Sequence, residues 1–144
     1  MNPNTQTAKD ILLKNNYTCV LYLDGVEHHS TQRGVKPLID FLESGNNFRG
    51  FSAADKTVGA GAAHLYVLLG VKSLWANIIS EAGEKVLKEN NISVSYEKLV
   101  PFIINREGNG TCPIETAVKG VNSSKEALEI IKQTLEKLAN NIRG

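Results

Sequence analysis

The chain has 144 residues, 42% of them apolar and 22% charged, with a formal net charge of +1. This is the length and balance of one globular domain that buries a core of its own without needing a disulfide or structural metal. Basic residues are scattered rather than striped, and four Phe, four Tyr and one Trp offer little for base stacking, which argues against nucleic-acid binding.

Along the chain, the opening segment MNPNTQTAKDILLKNN has neither a basic start with an apolar h-region nor a stretch long enough to cross a bilayer. A cytoplasmic location with no membrane partner is therefore expected. In such a compartment Cys19 and Cys112, far apart and without CxxC spacing, are expected as free thiols. N-x-S/T matches such as those at Asn16, Asn109 and Asn122 are then chance.

A short amphipathic segment with Ile11 and Leu12 leads into the β-rich run Thr18-Cys19-Val20-Leu21-Tyr22-Leu23. Asp24-Gly25 is a two-residue hairpin signal, so a second strand is expected over 26–31. Pro37 fits the first turn of a helix whose face is Leu38, Ile39, Phe41 and Leu42, ending at Ser44-Gly45-Asn46-Asn47. The next strand is placed at 48–54. From 57 to 69 almost no polar face is left, which predicts a helix buried on most sides and ended by Gly70.

A strand at 71–80, a helix at 81–90 with acidic residues at its positive end, and a strand at 92–99 follow. Ser123 and Glu126, at capping-box spacing, open a long helix over 123–142 with Leu128, Ile131, Leu135, Leu138 and Ile142 on one seam. That seam is read first as a helix covering one face of a sheet and second as a homodimer contact. The order predicts a single α/β domain, three layers deep, with a mixed sheet and helices on both faces. Ligands in such folds gather at strand carboxyl ends, where helix N-termini present free N–H groups. Two such junctions stand out, Ala54-Asp55-Lys56-Thr57 and Ile79-Ser80-Glu81-Ala82.

This order resembles the cytidine-deaminase-like fold, and much of the chain resembles a small uncharacterised bacterial family, a domain of unknown function assigned to that fold. The resemblance rests on Gly34-Val35-Lys36-Pro37-Leu38, Ala54-Asp55-Lys56-Thr57-Val58-Gly59 with Ala62-Ala63, Gly70-Val71-Lys72-Ser73, Val86-Leu87-Lys88-Glu89, and Pro101-Phe102-Ile103-Ile104-Asn105-Arg106 with Cys112-Pro113. Deaminases of the fold hold zinc through an H/C-x-E motif opening one helix and a P-C-x-x-C motif opening the next. The corresponding stretches here are Asp55-Lys56-Thr57 and Ser80-Glu81-Ala82-Gly83-Glu84, with no cysteine or histidine. The resemblance thus implies a scaffold without a zinc site, with no metal or cofactor and no zinc-dependent deamination. TCPIE, at 111–115, resembles a broken P-C-x-x-C but lies one strand-helix unit too late to be its remnant.

Lys56 is suited to pair with a phosphate or carboxylate and Asp55 to orient a hydroxyl or accept a proton; equally, Asp55 caps a helix and Lys56 is solvated. Ser80 and Glu81 are candidates at the second junction, or simply an N-cap and a first-turn acid. Cys112, before Pro113 at N1 and Glu115 at N3, is expected to be an N-cap, and a helix N-terminus favours a thiolate. Its neighbours Gly108-Asn109-Gly110 let backbone N–H groups approach an anion, but no histidine lies near in sequence to serve as base. His64, inside Gly59-Ala60-Gly61-Ala62-Ala63-His64, reads as a satisfied core residue, and the segment is not a dinucleotide fingerprint because the third glycine is missing. His28 and His29, adjacent on a strand, point to opposite faces and do not share a metal.

Three functions follow. The first is binding of a small anionic or nucleotide-like ligand by Asp55, Lys56, Ser80 and Glu81, under a cover that includes Asn105 and Gly110. The second is a metal-independent enzyme with Cys112 as nucleophile. The third is a homo-oligomerising module. Whether the chain catalyses a reaction stays open at this level.

Overall fold

Pro3 lacks an N–H and so suits the first turn of a helix, and Asn2 before it accepts from Thr5 N at 2.7 Å; together they start helix α1, Pro3–Asn15. This is a computed structural model describing residues 1–104, 108 and 110–143, the last three through their backbone alone. Strands β1, Cys19–Leu23, and β2, Val26–Ser30, form the expected hairpin. Asp24 and Gly25 both have positive φ, 44° and 93°, so the turn follows the right-handed twist of the strands it joins. Helix α2, Lys36–Glu43, carries Pro37 in its first turn.

Strand β3 is Ser52–Val58 and helix α3 is Ala60–Leu69, which corrects the boundaries expected at 48–54 and 57–69. Phe48 and Phe51 made the earlier run look like a strand. They are buried loop residues, 5.3 Å apart in an edge contact, and the ring of His28 meets Phe48 at 4.9 Å. Asp55 does not open α3. It is a paired strand residue, opposite Cys19 on β1 and Ala76 on the next strand, and the helix starts at Ala60 after Gly59.

Strand β4, Ser73–Ser80, helix α4, Glu81–Glu89, and strand β5, Ser93–Val100, complete the regular part. The short helix α5, Pro113–Ala117, and the long helix α6, Ser124–Arg143, follow. Strand order is β2-β1-β3-β4-β5, with β1 antiparallel to both neighbours and β3, β4 and β5 parallel. Two right-handed crossovers moving the same way across a sheet put their helices on the same face. Accordingly α3 and α4 share one face, over a core that includes Leu21, Leu65, Tyr66, Leu74, Ile79 and Leu87. α1 covers the other with Ala8 and Leu12 against Val20, Ala54 and Trp75.

The expectation that α6 covers the sheet is corrected: it packs on α3 and α5, with Ala127 and Ile131 fully buried. The sheet face there is already taken by α3, and α6 finds the outer side of that helix instead. This explains why α3 is apolar nearly all round. Among the described residues, no helix is long and apolar enough to cross a membrane.

Candidate functional site

The parallel strands end at Val58, Ser80 and Val100, and a cleft of about 480 Å³ opens just beyond them. Ala60, Ala82, Pro101 and Phe102 form its strand-end side, Lys85, Val86, Glu89 and Asn90 come from α4 and the turn after it, and Glu115 with 118–122 closes it from α5. The location is the one expected of a twisted parallel sheet. Ala60, Ala82, Pro101 and Phe102 are one or two positions past the strand ends, and β3 itself runs on to Val58 rather than stopping at Ala54.

α5 reaches this place because of a gap in α3. A Cβ on Gly61 would lie 2.5 Å from Ile114 Cγ2, so only glycine lets Ile114 seat against the helix. The next residue, Glu115, is 7% exposed and accepts a hydrogen bond from Ile103 N at 2.8 Å. Its carboxylate lies over Gly59, where a Cβ would come within 3.1 Å of Oε2. Glu115 thereby ties the segment after β5 to the start of α3.

His64 sits one turn beyond Ala60 and also lines the cleft. It is 2% exposed, and its Nδ1 lies 2.9 Å from Ser124 Oγ at the start of α6. Its Nε2 is buried and has no hydrogen-bond partner among the described residues, so the ring is not the fully satisfied core histidine that the sequence implies. Burial lowers its pKa, while the backbone of Val121 acts the other way. Lys119 is exposed at the rim, and Lys85 lies 3.9 Å from Glu89. Phe102, 51% exposed, also lines the cleft.

The structure does not bring the sequence candidates together. Asp55 is buried on the α3 side, where Oδ2 accepts from the Tyr66 hydroxyl at 2.6 Å and Oδ1 from Thr57 N at 3.0 Å. Burial pushes its carboxyl up to about 7, against the pull of those hydrogen bonds. Lys56, the next residue along the strand, turns to the opposite face, where its Nζ meets Asn16 Oδ1 at the end of α1. Ser80 is fully buried and caps α4, its Oγ accepting from Gly83 N at 3.0 Å, while Glu81 is exposed in the first turn.

Cys112 is the half-buried N-cap of α5, with no capping hydrogen bond from its side chain; its N–H donates to Ile103 O at 2.8 Å. It is not among the cleft-lining residues, although Thr111 beside it is. Gly110 is exposed, and Asn105 lies outside the described residues. His28 and His29 diverge as expected, the first onto Phe48 and the second stacked on Tyr17 at 4.0 Å. Among the described residues no group of three or more His, Cys, Asp or Glu is placed to hold a metal ion.

Fold and cleft together define a three-layer α/β domain with an open pocket, lined by Lys85 and Lys119 and by Glu89 and Glu115, beside the carboxyl ends of its parallel strands. The model of the TM1506 family, described as a domain of unknown function (DUF1893), matches residues 7–135, and the chain belongs to that family. It is similar to the DUF1893 family protein TM1506 from Thermotoga maritima, whose crystal structure has a TM-score of 0.82 at 27% identity, with 95% of this chain and 92% of that chain covered. No curated protein matches the chain.

Proposed function

We propose that this domain binds a small anionic, nucleotide-like molecule in the cleft beyond β3, β4 and β5, on a cytidine-deaminase-like scaffold without a zinc motif. The observation that carries the reading is the composition of that cleft. A volume of about 480 Å³ falls in the range of small-molecule sites, which combine an apolar lining with a few polar groups. Here Val86, Pro101 and Phe102 supply apolar surface for a flat ring, and Lys85 and Lys119 supply charge for a phosphate or carboxylate.

The strand-helix order supports the scaffold assignment, and the first turns of α3 and α4, Ala60-Gly61-Ala62-Ala63 and Glu81-Ala82-Gly83-Glu84, carry no zinc-ligand cysteine or histidine. Ser80 and Asp55 serve the cleft from behind it in this reading. Ser80 fixes the start of α4, and with it Ala82 and Lys85, while Asp55 holds Tyr66 of α3. Differential scanning fluorimetry with uridine 5′-monophosphate, uridine and inorganic phosphate tests the proposal. The nucleotide should raise the midpoint most, and Lys119→Ala should reduce that rise. No shift with any of the three, or an unchanged shift in the Lys119 variant, would remove the reading.

A further inference from the structure

We infer that His64 is the polar anchor at the base of the cleft, meeting an uncharged hydrogen-bonding group of the ligand while Lys85 and Lys119 meet its anionic end. The inference rests on the binding reading above and gives it a direction: the ligand enters with its neutral ring or amide end innermost.

Three observations converge on this ring. It is 2% exposed yet lines the cleft, and its Nε2 is a buried polar atom without a partner among the described residues. Such atoms are rare in folded proteins. The Val121 backbone lies near enough to favour the protonated ring but does not form a hydrogen bond with Nε2. Ala60, one turn before His64 on the same helix, lines the cleft with it.

The chemistry of the partner follows from the surroundings. Burial lowers the pKa of the imidazole and so favours its neutral form, which has one N–H and one lone pair. Nδ1 faces Ser124 Oγ, and a hydroxyl either donates or accepts. Ser124 can therefore support either tautomer, leaving Nε2 of the neutral ring as an acceptor or as a donor. The matching ligand group is a hydroxyl, an amide or a ring nitrogen. The full negative charge belongs with the lysines at the rim, away from the Glu115 carboxylate that His64 shares the cleft wall with.

The test is a titration of ¹⁵N-labelled protein, following the His64 ring nitrogens in long-range ¹H–¹⁵N spectra, with uridine 5′-monophosphate, uridine and inorganic phosphate as separate probes. Uridine and its monophosphate should move the Nε2 resonance, and phosphate alone should not. His64→Leu, which keeps apolar bulk without ring nitrogens, should weaken both nucleoside probes about tenfold and leave phosphate binding unchanged. Saturable nucleotide binding that is weakened by Lys119→Ala but leaves the His64 resonances and the His64→Leu affinity unchanged would overturn the inference alone, assigning Nε2 to a buried water. If none of the probes binds, the binding reading falls and the inference with it. Should His64→Leu fail to fold, the wild-type resonances decide the matter.

Discussion

Tyr66 donates its phenolic hydrogen to Asp55 Oδ2 across 2.6 Å in the interior, joining α3 to the centre of β3. Cys19 stands opposite Asp55 on β1, its thiol pushed up by burial first and by the Asp55 charge second. The Tyr66 hydroxyl is raised well above its ordinary value for the same reasons in the same order. Of these three groups only Asp55, at about 7, changes charge near neutrality.

Asp55 therefore makes stability depend on pH in a particular direction. Its carboxyl rises from an ordinary 3.8 to about 7 on folding, so the folded chain binds the extra proton between those values. The contribution is complete below about 4, declines as pH rises through about 7 and is gone above it. Urea unfolding midpoints should be higher at about pH 5 than at about pH 8, by an amount on the order of a few kcal/mol at most. Asp55→Asn keeps an acceptor for Tyr66 and should flatten that difference; an unchanged pH profile in the variant would refute the assignment.

The contact between α3 and α5 depends on one missing methyl. Because a Cβ at position 61 would lie 2.5 Å from Ile114 Cγ2, Gly61→Ala should cost roughly 1–3 kcal/mol through forced repacking. Ile114→Ala on its own should also destabilise, but less so in the Gly61→Ala background, where the clash is relieved. A double-mutant cycle on chemical denaturation measures this, and strict additivity would contradict the packing described.

Ile131 anchors α6 and is fully buried. Ile131→Ala should lower stability by about 2–5 kcal/mol. It should also loosen the helix that carries Ser124, so backbone amides of α6 should exchange with solvent faster than those of β3 and β4. Equal acceleration across the chain would show that α6 does not move as a separate unit.

The two thiols should differ in reactivity. Cys19 is 3% exposed with its thiol pushed up, whereas Cys112 is half-buried at a helix end. Alkylation of the native protein should modify one thiol per chain, and Cys112→Ser should abolish that reaction while Cys19 reacts only after unfolding. Since Cys112 is not among the residues lining the cleft, the same variant should keep its nucleotide-induced stabilisation. Loss of that stabilisation would return the thiol to the site.

Much of the framework was legible because its signals are local. Asp24-Gly25 dictates a turn through two positive φ angles, Ser80 and Ser123 accept hydrogen bonds from N–H groups three residues on, and Pro37 and Pro113 sit where a helix has no use for an N–H. Each rule operates within four residues, so the order of strands and helices, and the caps at Ser80 and Ser123, could be read from the chain alone.

The site could not, because its parts meet over distances that no local pattern encodes. Asp55-Lys56-Thr57 looks like a polar strand end, yet Asp55 is an interior residue because Tyr66, eleven positions on, supplies its hydrogen bond. His64 looked like a satisfied core histidine, and only Ser124, sixty positions away, shows which nitrogen is bonded and which is without a partner among the described residues. Glu115 enters because Gly61 admits Ile114. Residue type and spacing determined which elements form and in what order. Packing, through the burial and pairing of side chains distant in sequence, decided which of their polar groups are buried, which are paired and which line the cleft.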